Sequence, residues 1–505
     1  MNQRKIGIIL SYCTLACRSV IGFIFIPMLL YYLTQSQYGV YQLMGSIVLG
    51  LSVLDFGLSN TTTRYVARAL ALKDTKQLEH IISTSHTIYT LLTVVLLLLG
   101  SIFYFCIDSI YASSLSLQEL HDAKQIYLLM LFNMALTIQG NIFTATINAH
   151  ERFIFMQGLN LVKIIMQPLL VWVILMWKAN AFNVVLAQTA VVFATLLCKY
   201  AYCKRKLLVS FPLQLTRTPL FKELTGFSFF IFLHVLMDQM YYRSGQFILG
   251  AVSGTKAVAT YAIAIQVITF AVTLPATVNN IFLPKLSASI ATQNNLREPN
   301  DLFCKLGRLQ FMLFMLIFMG FCFLGKCFIT LWVGTEYLKV YCLVLILLSG
   351  YILDVSQSVG NAILQAMKKH AFRAYVYTVM VVLNFILAVF LGKRYGETGC
   401  AVATVICLCL GPGVAINYYY HRVGINLKPF FQNIARISIE IIPAILLCML
   451  FFMVFPLETN WINFLWHGLV LTLIYGGCIW FFAFNSYEKN LFLSPFRSFV
   501  RKCIK

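Results

Sequence analysis

The sequence predicts an all-α polytopic membrane protein, and three observations carry that prediction. Of the 505 residues, 60% are hydrophobic and 11% charged, more apolar surface than a soluble core of this size needs. Apolar segments long enough to cross a bilayer recur from one end to the other, since roughly 20 such residues span the hydrocarbon core. The net charge of +21 is confined to alternate connecting segments. A membrane β-barrel would show short alternating segments instead. Helices are the expected elements because backbone in lipid must satisfy its own hydrogen bonds.

Fourteen spans follow, at 6–33, 38–60, 81–106, 125–148, 153–177, 179–198, 227–252, 258–283, 309–333, 340–363, 374–391, 398–420, 437–455 and 461–484. The first apolar run is too long for a signal-peptide core and is expected to be retained. The segments on the amino-terminal side hold 28 of the 38 bases and seven of the 17 acids. The opposite loops hold six of each, and the spans four of each. The whole basic excess therefore lies on one side, which places both termini in the cytoplasm. Arg64–Lys76, Lys199–Lys222 and Lys489–Lys505 read as anchors at an anionic lipid surface, and no nucleic-acid partner is expected. The fifteen cysteines lie mostly in apolar runs without metal-like pairing, so they read as small packing residues. Pro27, Pro168, Pro275 and Gly411-Pro412-Gly413 mark potential kinks.

A shift of 220 residues lays Tyr38-Gly39-Val40-Tyr41 over Val258-Ala259-Thr260-Tyr261, and Arg18 over Asp238. The order of elements repeats. This predicts an amino-terminal lobe of spans one to six (1–206), a cytoplasmic linker (207–224) and a second six-helix lobe (225–425). A further piece (426–505) holds two helices and a basic tail.

Four spans carry polar stripes at helical spacing. They are Asn133, Thr137, Asn141, Thr144 and Asn148; Gln157, Asn160, Lys163 and Gln167; Gln266, Thr269, Thr273, Thr277 and Asn280; and Asp354, Gln357, Asn361 and Gln365. One stripe alone reads equally as interhelical hydrogen bonding. Four together favour a polar lumen, lined by Asn133, Asn141, Asn160, Gln167, Gln266, Thr273, Gln357 and Asn361. Ionisable groups inside a span are costly and usually face a cavity. Arg18, Lys163 and Arg243 are accordingly cavity candidates, against snorkelling or a structural ion pair. His234 and Asp238 share one helix face in the seventh span and, with Asp354, are candidates for ion coupling. Lys326, Asp55 and Glu440 lie closer to span ends.

No enzyme is expected. There is no Walker sequence, the carboxylates are dispersed, and the histidines do not cluster as metal ligands. Neither a metal nor a cofactor is expected. A membrane polysaccharide polymerase or ligase, the rival of another class, would need a large outer loop that the sequence lacks.

Arg18 and Pro27, Tyr38-Gly39-Val40-Tyr41, Leu54-Asp55-Phe56-Gly57-Leu58 and Arg64-Tyr65-Val66-Ala67 form one opening pattern. It resembles the polysaccharide-exporting branch of the multidrug/oligosaccharidyl-lipid/polysaccharide superfamily. Asp238 through Tyr261, with Gly250 and Gly254, is similar to the start of that family's second lobe. The resemblance implies a fourteen-helix flippase in a bacterial inner membrane, rocking between inward-open and outward-open states. The implied cargo is undecaprenyl-diphosphate-linked oligosaccharide for O-antigen, capsule or exopolysaccharide. Membrane lipids, a polysaccharide polymerase and glycosyltransferases are the implied partners. Arg18 matches the place of a basic residue in the family's cationic cavity. A cation-coupled drug or metabolite antiporter of the same superfamily is the nearest alternative.

Overall fold

The computed structural model describes residues 3–52, 58–213, 243–292, 297–367, 369, 371–486 and 488–489. Among them every regular element is helical, as the sequence predicts. Helix α1 (Gln3–Tyr32) gives way to α2 (Gln35–Leu51) at Thr34. The Thr34 side chain accepts from the Gln37 amide, and the Gln37 side chain accepts from the Thr34 amide, a reciprocal cap of two otherwise orphaned donors. After α3 (Leu58–Leu72), α4 (Thr75–Tyr111) starts at Asp74, whose carboxylate accepts from Gln77 N at 2.9 Å. Ser116 and Glu119 form a second capping box at the head of α5 (Leu117–Ala149). Helices α6 (Phe153–Trp177) and α7 (Ala181–Lys206) complete the first group.

Residues 243–252 are helical, here α8, and lead into α9 (Gly254–Thr292) through Gly254, whose φ of +79° suits glycine. Then come α10 (Arg297–Val333), α11 (Lys339–Ser356), α12 (Ser358–Ala366) and α13 (Ala371–Leu410). A turn at Gly396 (φ 59°, ψ −137°) divides α13, so the predicted boundary between spans eleven and twelve is a real break. The Gly411-Pro412-Gly413 sequence becomes a π-helical turn, Gly411–Ile416, that passes into α14 (Asn417–Val423). A proline amide cannot donate to the ladder, and a wider turn absorbs the mismatch. Helices α15 (Leu427–Glu440), α16 (Ile442–Val454) and α17 (Trp461–Cys478) close the order.

Eleven stretches of the described residues are long and apolar enough to cross a membrane. One of them, Phe372–Val423, contains two predicted spans. Helix α2, with 17 residues, is shorter than these stretches. Of the predicted seventh span only 243–252 lies within the described residues. These account for all fourteen predicted segments, and the chain is a polytopic all-α membrane protein.

Several expected single helices are interrupted. Of the second span, α2 covers the part up to Leu51 and α3 begins at Leu58, with 53–57 outside the described residues. The tenth breaks at Gln357, between α11 and α12. The thirteenth breaks at Ile441, where Pro443 occupies the first turn of α16, a place that spares its missing amide. Span six is longer than expected: α7 runs on to Lys206, with Lys204, Arg205 and Lys206 in its last turn. Cations there complement the exposed carbonyls of a helix end.

The contacts resolve into two compact units, 1–262 with 385–400, and 263–384 with 401–505. In the first, α1 packs along α6, and α5 is central, touching α2, α3, α4 and α7. Lipid gives no hydrophobic drive to join helices, so small residues and polar bonds matter more. Gly39 shows the first device, for a Cβ there would run into the backbone carbonyl of Thr255. The second device gathers the ends of α2, α5 and α9, at the end of this unit remote from the amino terminus. Glu119 accepts hydrogen bonds from Ser36 Oγ, from Thr255 Oγ1 (2.7 Å) and from both the amide (2.8 Å) and hydroxyl (2.9 Å) of Ser116. Ser114 Oγ donates to Gly250 O at 2.6 Å.

The second unit has two apolar clusters. Phe303, Phe430 and Tyr420 centre one of them, with Ile363 and Leu364. Met312, Ile437, Ala444, Cys448 and Tyr475 join α10, α15, α16 and α17 in the other. Beside them Arg308 is buried with every guanidinium nitrogen bonded. Its Nε (2.9 Å) and Nη2 (3.2 Å) donate to the Glu488 carboxylate, Nη2 to Ala483 O (2.8 Å) and Nη1 to Asn433 Oδ1 (3.2 Å). A charge pair is tolerated out of water only when so completely satisfied.

Candidate functional site

Between α1 and α6 lies a cavity of about 430 Å³. Thr14, Arg18, Ile21, Gly22 and Phe25 line it from α1, and Asn160, Lys163, Ile164, Gln167 and Pro168 from α6. Steps of three and four put each set on one helix face. Among the described residues the lining thus holds two cations, two amides and a hydroxyl, with no acid. Among the described residues no carboxylate pairs with Arg18 or Lys163. The two cations lie within electrostatic reach of each other. Pro168 has a further effect: it cannot donate to the carbonyl four residues back, that of Ile164, so the helix leaves an acceptor in the cavity wall.

Of the predicted residues, Arg18, Lys163, Asn160 and Gln167 are therefore brought together. Arg243 is half-buried within reach of Tyr38 and Tyr41 and is not part of this lining. Tyr41 accepts from Gln188 Nε2 at 2.9 Å. His234 and Asp238 lie outside the described residues, as does Asp55. On α5, Asn133 is half-buried and no described group bonds its Oδ1; Asn141 is half-buried too. Gln139, on the same helix, donates to Thr93 of α4 at 3.2 Å, which is interhelical bonding of the ordinary kind.

In the second unit Asp354 accepts from the Tyr377 hydroxyl at 2.9 Å, and Arg373 donates to the same hydroxyl at 3.0 Å. Asp354 is thus tied through a phenol to a cation that the sequence places just outside a span. Gln357 is buried at the α11–α12 break, with Nε2 unbonded by any described group, and Asn361 is half-buried one turn on. Gln266 is half-buried on α9, whereas Thr273 is exposed and donates to Thr269 O within its own helix (2.6 Å). Lys326 lies over the Tyr341 ring at 5.5 Å, and Glu440 pairs with Arg436 at 2.7 Å.

Sequence reasoning passes over one cation near the cavity. Lys199 stands inside α7, and its Nζ donates to Thr144 Oγ1 of α5 at 3.0 Å. Lys163 is within its electrostatic reach. The signal was available in Thr144, a member of the α5 stripe, but Lys199 reads as the first residue of a basic loop when the helix is ended too early.

No curated protein matches the chain in sequence. Among solved structures, the lipid II flippase MurJ in an inward closed conformation superposes with a TM-score of 0.75 at 14% identity, over 97% of this chain and 99% of that one. An inward-facing multidrug resistance MATE family transporter of the MOP superfamily gives 0.65 at 12% identity, over 81% and 94%. A MOP superfamily transporter from Pyrococcus furiosus Vc1 gives 0.54 at 13%, over 83% and 94%. At such identities the likeness is one of fold. Residues 4–289 match the family described as polysaccharide biosynthesis protein, more than half of the chain, and the chain belongs to that family.

Proposed function

We propose that this chain is an alternating-access flippase that carries an undecaprenyl-diphosphate-linked oligosaccharide across the bacterial inner membrane, with both termini cytoplasmic. It supplies O-antigen, capsule or exopolysaccharide assembly without catalysing a reaction itself. A polymerase and glycosyltransferases are its functional partners, and the lobes 1–206 and 225–425 are the proposed moving halves. The observation that carries this reading is a lining that sets Arg18 and Lys163 side by side with no acid among the described residues. Two like charges held close in a poorly polarisable medium repel, and an anion placed between them removes that repulsion. A diphosphate suits the pair: Arg18 offers a planar fork and Lys163 a mobile point charge. Asn160, Gln167, Thr14 and the Ile164 carbonyl then serve sugar hydroxyls. A cavity of about 430 Å³ admits the diphosphate and the sugar next to it, and the polyprenyl tail remains in lipid. An antiporter of organic cations would need carboxylates in this lining.

The test is export of lipid-linked sugar by membranes carrying Arg18→Ala or Lys163→Ala. Each variant is expected to lose at least about tenfold in rate while reaching the membrane in parental amount. Removing one charge-assisted contact has an effect of this order. Arg18→Lys is expected to keep part of the activity. Parental export by both alanine variants would refute the proposal.

A further inference from the structure

Lys199 stands forward of the pair Lys163 and Arg18, and neighbouring contacts fix the order. The Phe155 and Tyr202 rings stack with centroids 3.8 Å apart, which sets those positions of α6 and α7 at one level. The Ile154 amide donates to Gln3 Oε1 at 3.4 Å, and a Cβ on Gly7 would meet Phe153, so the start of α1 shares that level. Counted from the Phe155–Tyr202 level at 1.5 Å per residue, Lys199 lies about 5 Å in and Lys163 about 12 Å, while Arg18, eleven residues beyond Gly7, stands about 14 Å in, beside Lys163. Lys199 is thus about 7 Å nearer the amino-terminal end than the Lys163–Arg18 pair, close to the length of one extended side chain. Lys163 is within electrostatic reach of both others. Among the described residues none of the three has a carboxylate in ion-pair contact. The only hydrogen bond described for the Lys199 ammonium is to the Thr144 hydroxyl, which leaves it donors to spare.

We infer that Lys199 is the first cation an anionic head group meets: it captures the group at the amino-terminal end of the helices and passes it to Lys163 and Arg18. This rests on the proposed function and extends it with a residue that does not line the cavity. A cation that far forward speeds association and sets its salt dependence, whereas one deep inside governs how firmly the ligand is held. An anion moving inward would always have the next cation within reach, so no stage of the path leaves it bare in the low-dielectric interior.

The experiment measures association and dissociation rates of farnesyl diphosphate with the purified full chain by stopped flow, at several salt concentrations. Lys199→Gln is expected to slow association about tenfold at low salt and to flatten its salt dependence, with dissociation changed less than about twofold. Lys199→Arg is expected to restore the parental rate. Thr144→Val, which keeps the ammonium and removes its partner, is expected to stay within about twofold. Arg18→Ala is expected to act on dissociation instead. If Lys199→Gln does not accumulate, Lys199→Met replaces it. Parental association in the Lys199 variant, with Arg18→Ala still weakening binding, overturns the capture step and leaves the proposed function standing. Parental binding by both variants overturns the proposed function as well. Phosphatidylglycerol vesicles provide the remaining arm: if their docking falls as much as farnesyl diphosphate association does, Lys199 serves bulk anionic lipid and the inference fails.

Discussion

Glu119 holds more of the first unit together than its place in a loop region of the sequence suggests. It caps its own helix through Ser116 and at the same time accepts from Ser36 and Thr255. These neighbours stand 83 and 136 residues away in the chain. A carboxylate that gathers several donors is worth more than each neutral bond, roughly 1.5–3 kcal/mol apiece in other proteins when a charged group takes part. Glu119→Ala is therefore expected to lower the melting temperature of the purified chain, and Glu119→Gln to lower it less. The glutamine keeps one accepting oxygen. Equal melting of all three would show that the cluster contributes nothing. The cavity residues follow a different logic. Arg18 and Lys163 can be picked out of the sequence because a cation deep in an apolar run needs a reason to be there. Lys199 and Arg373 cannot, since each stands within a residue or two of an expected span end.

At the scale of helices, sequence periodicity locates the segments well and their interruptions less well. Gly396 and the Gly-Pro-Gly turn announce themselves, being residues that helices tolerate poorly. The break at Gln357 does not, because glutamine is an ordinary helix residue and nothing nearby in sequence opposes a straight helix. The ends of α4, α5 and α10 are also concealed: each helix continues beyond its apolar stretch, where hydropathy no longer reports on it. Helix-to-helix contact has its own sequence mark in Gly39. With no room for a Cβ against the Thr255 carbonyl, Gly39→Val must push α2 away from the head of α9. The expected loss is about 1–3 kcal/mol, seen as reduced folded yield. Gly50→Ala, with nothing within 4 Å of the added carbon, is the matched control and is expected to leave the yield unchanged.

For the whole molecule, the class and the number of segments are legible because bilayer thickness imposes a length on every crossing. Contacts between distant stretches are not, and the Arg308–Glu488 pair is the plainest case. Nothing in a one-dimensional pattern couples residues 180 positions apart. Both are buried, and losing one partner of such a pair typically costs 3–5 kcal/mol because the other charge is left uncompensated. A chain ending after residue 484 is expected to be degraded or to melt far below the full-length protein. One ending after residue 489 keeps the pair and is expected to accumulate normally. Immunoblots of membranes from cells making each form distinguish the two outcomes.

That pair also has a place in time. Synthesis proceeds at about 5–20 residues per second, so Arg308 is made roughly 10–40 s before Glu488 exists. Throughout that interval a guanidinium destined for burial has no carboxylate to meet. The second unit therefore cannot complete this pair until long after α10 is made. It waits without that pair until Glu488 is made, and any factor that shields a half-built membrane protein has a task there.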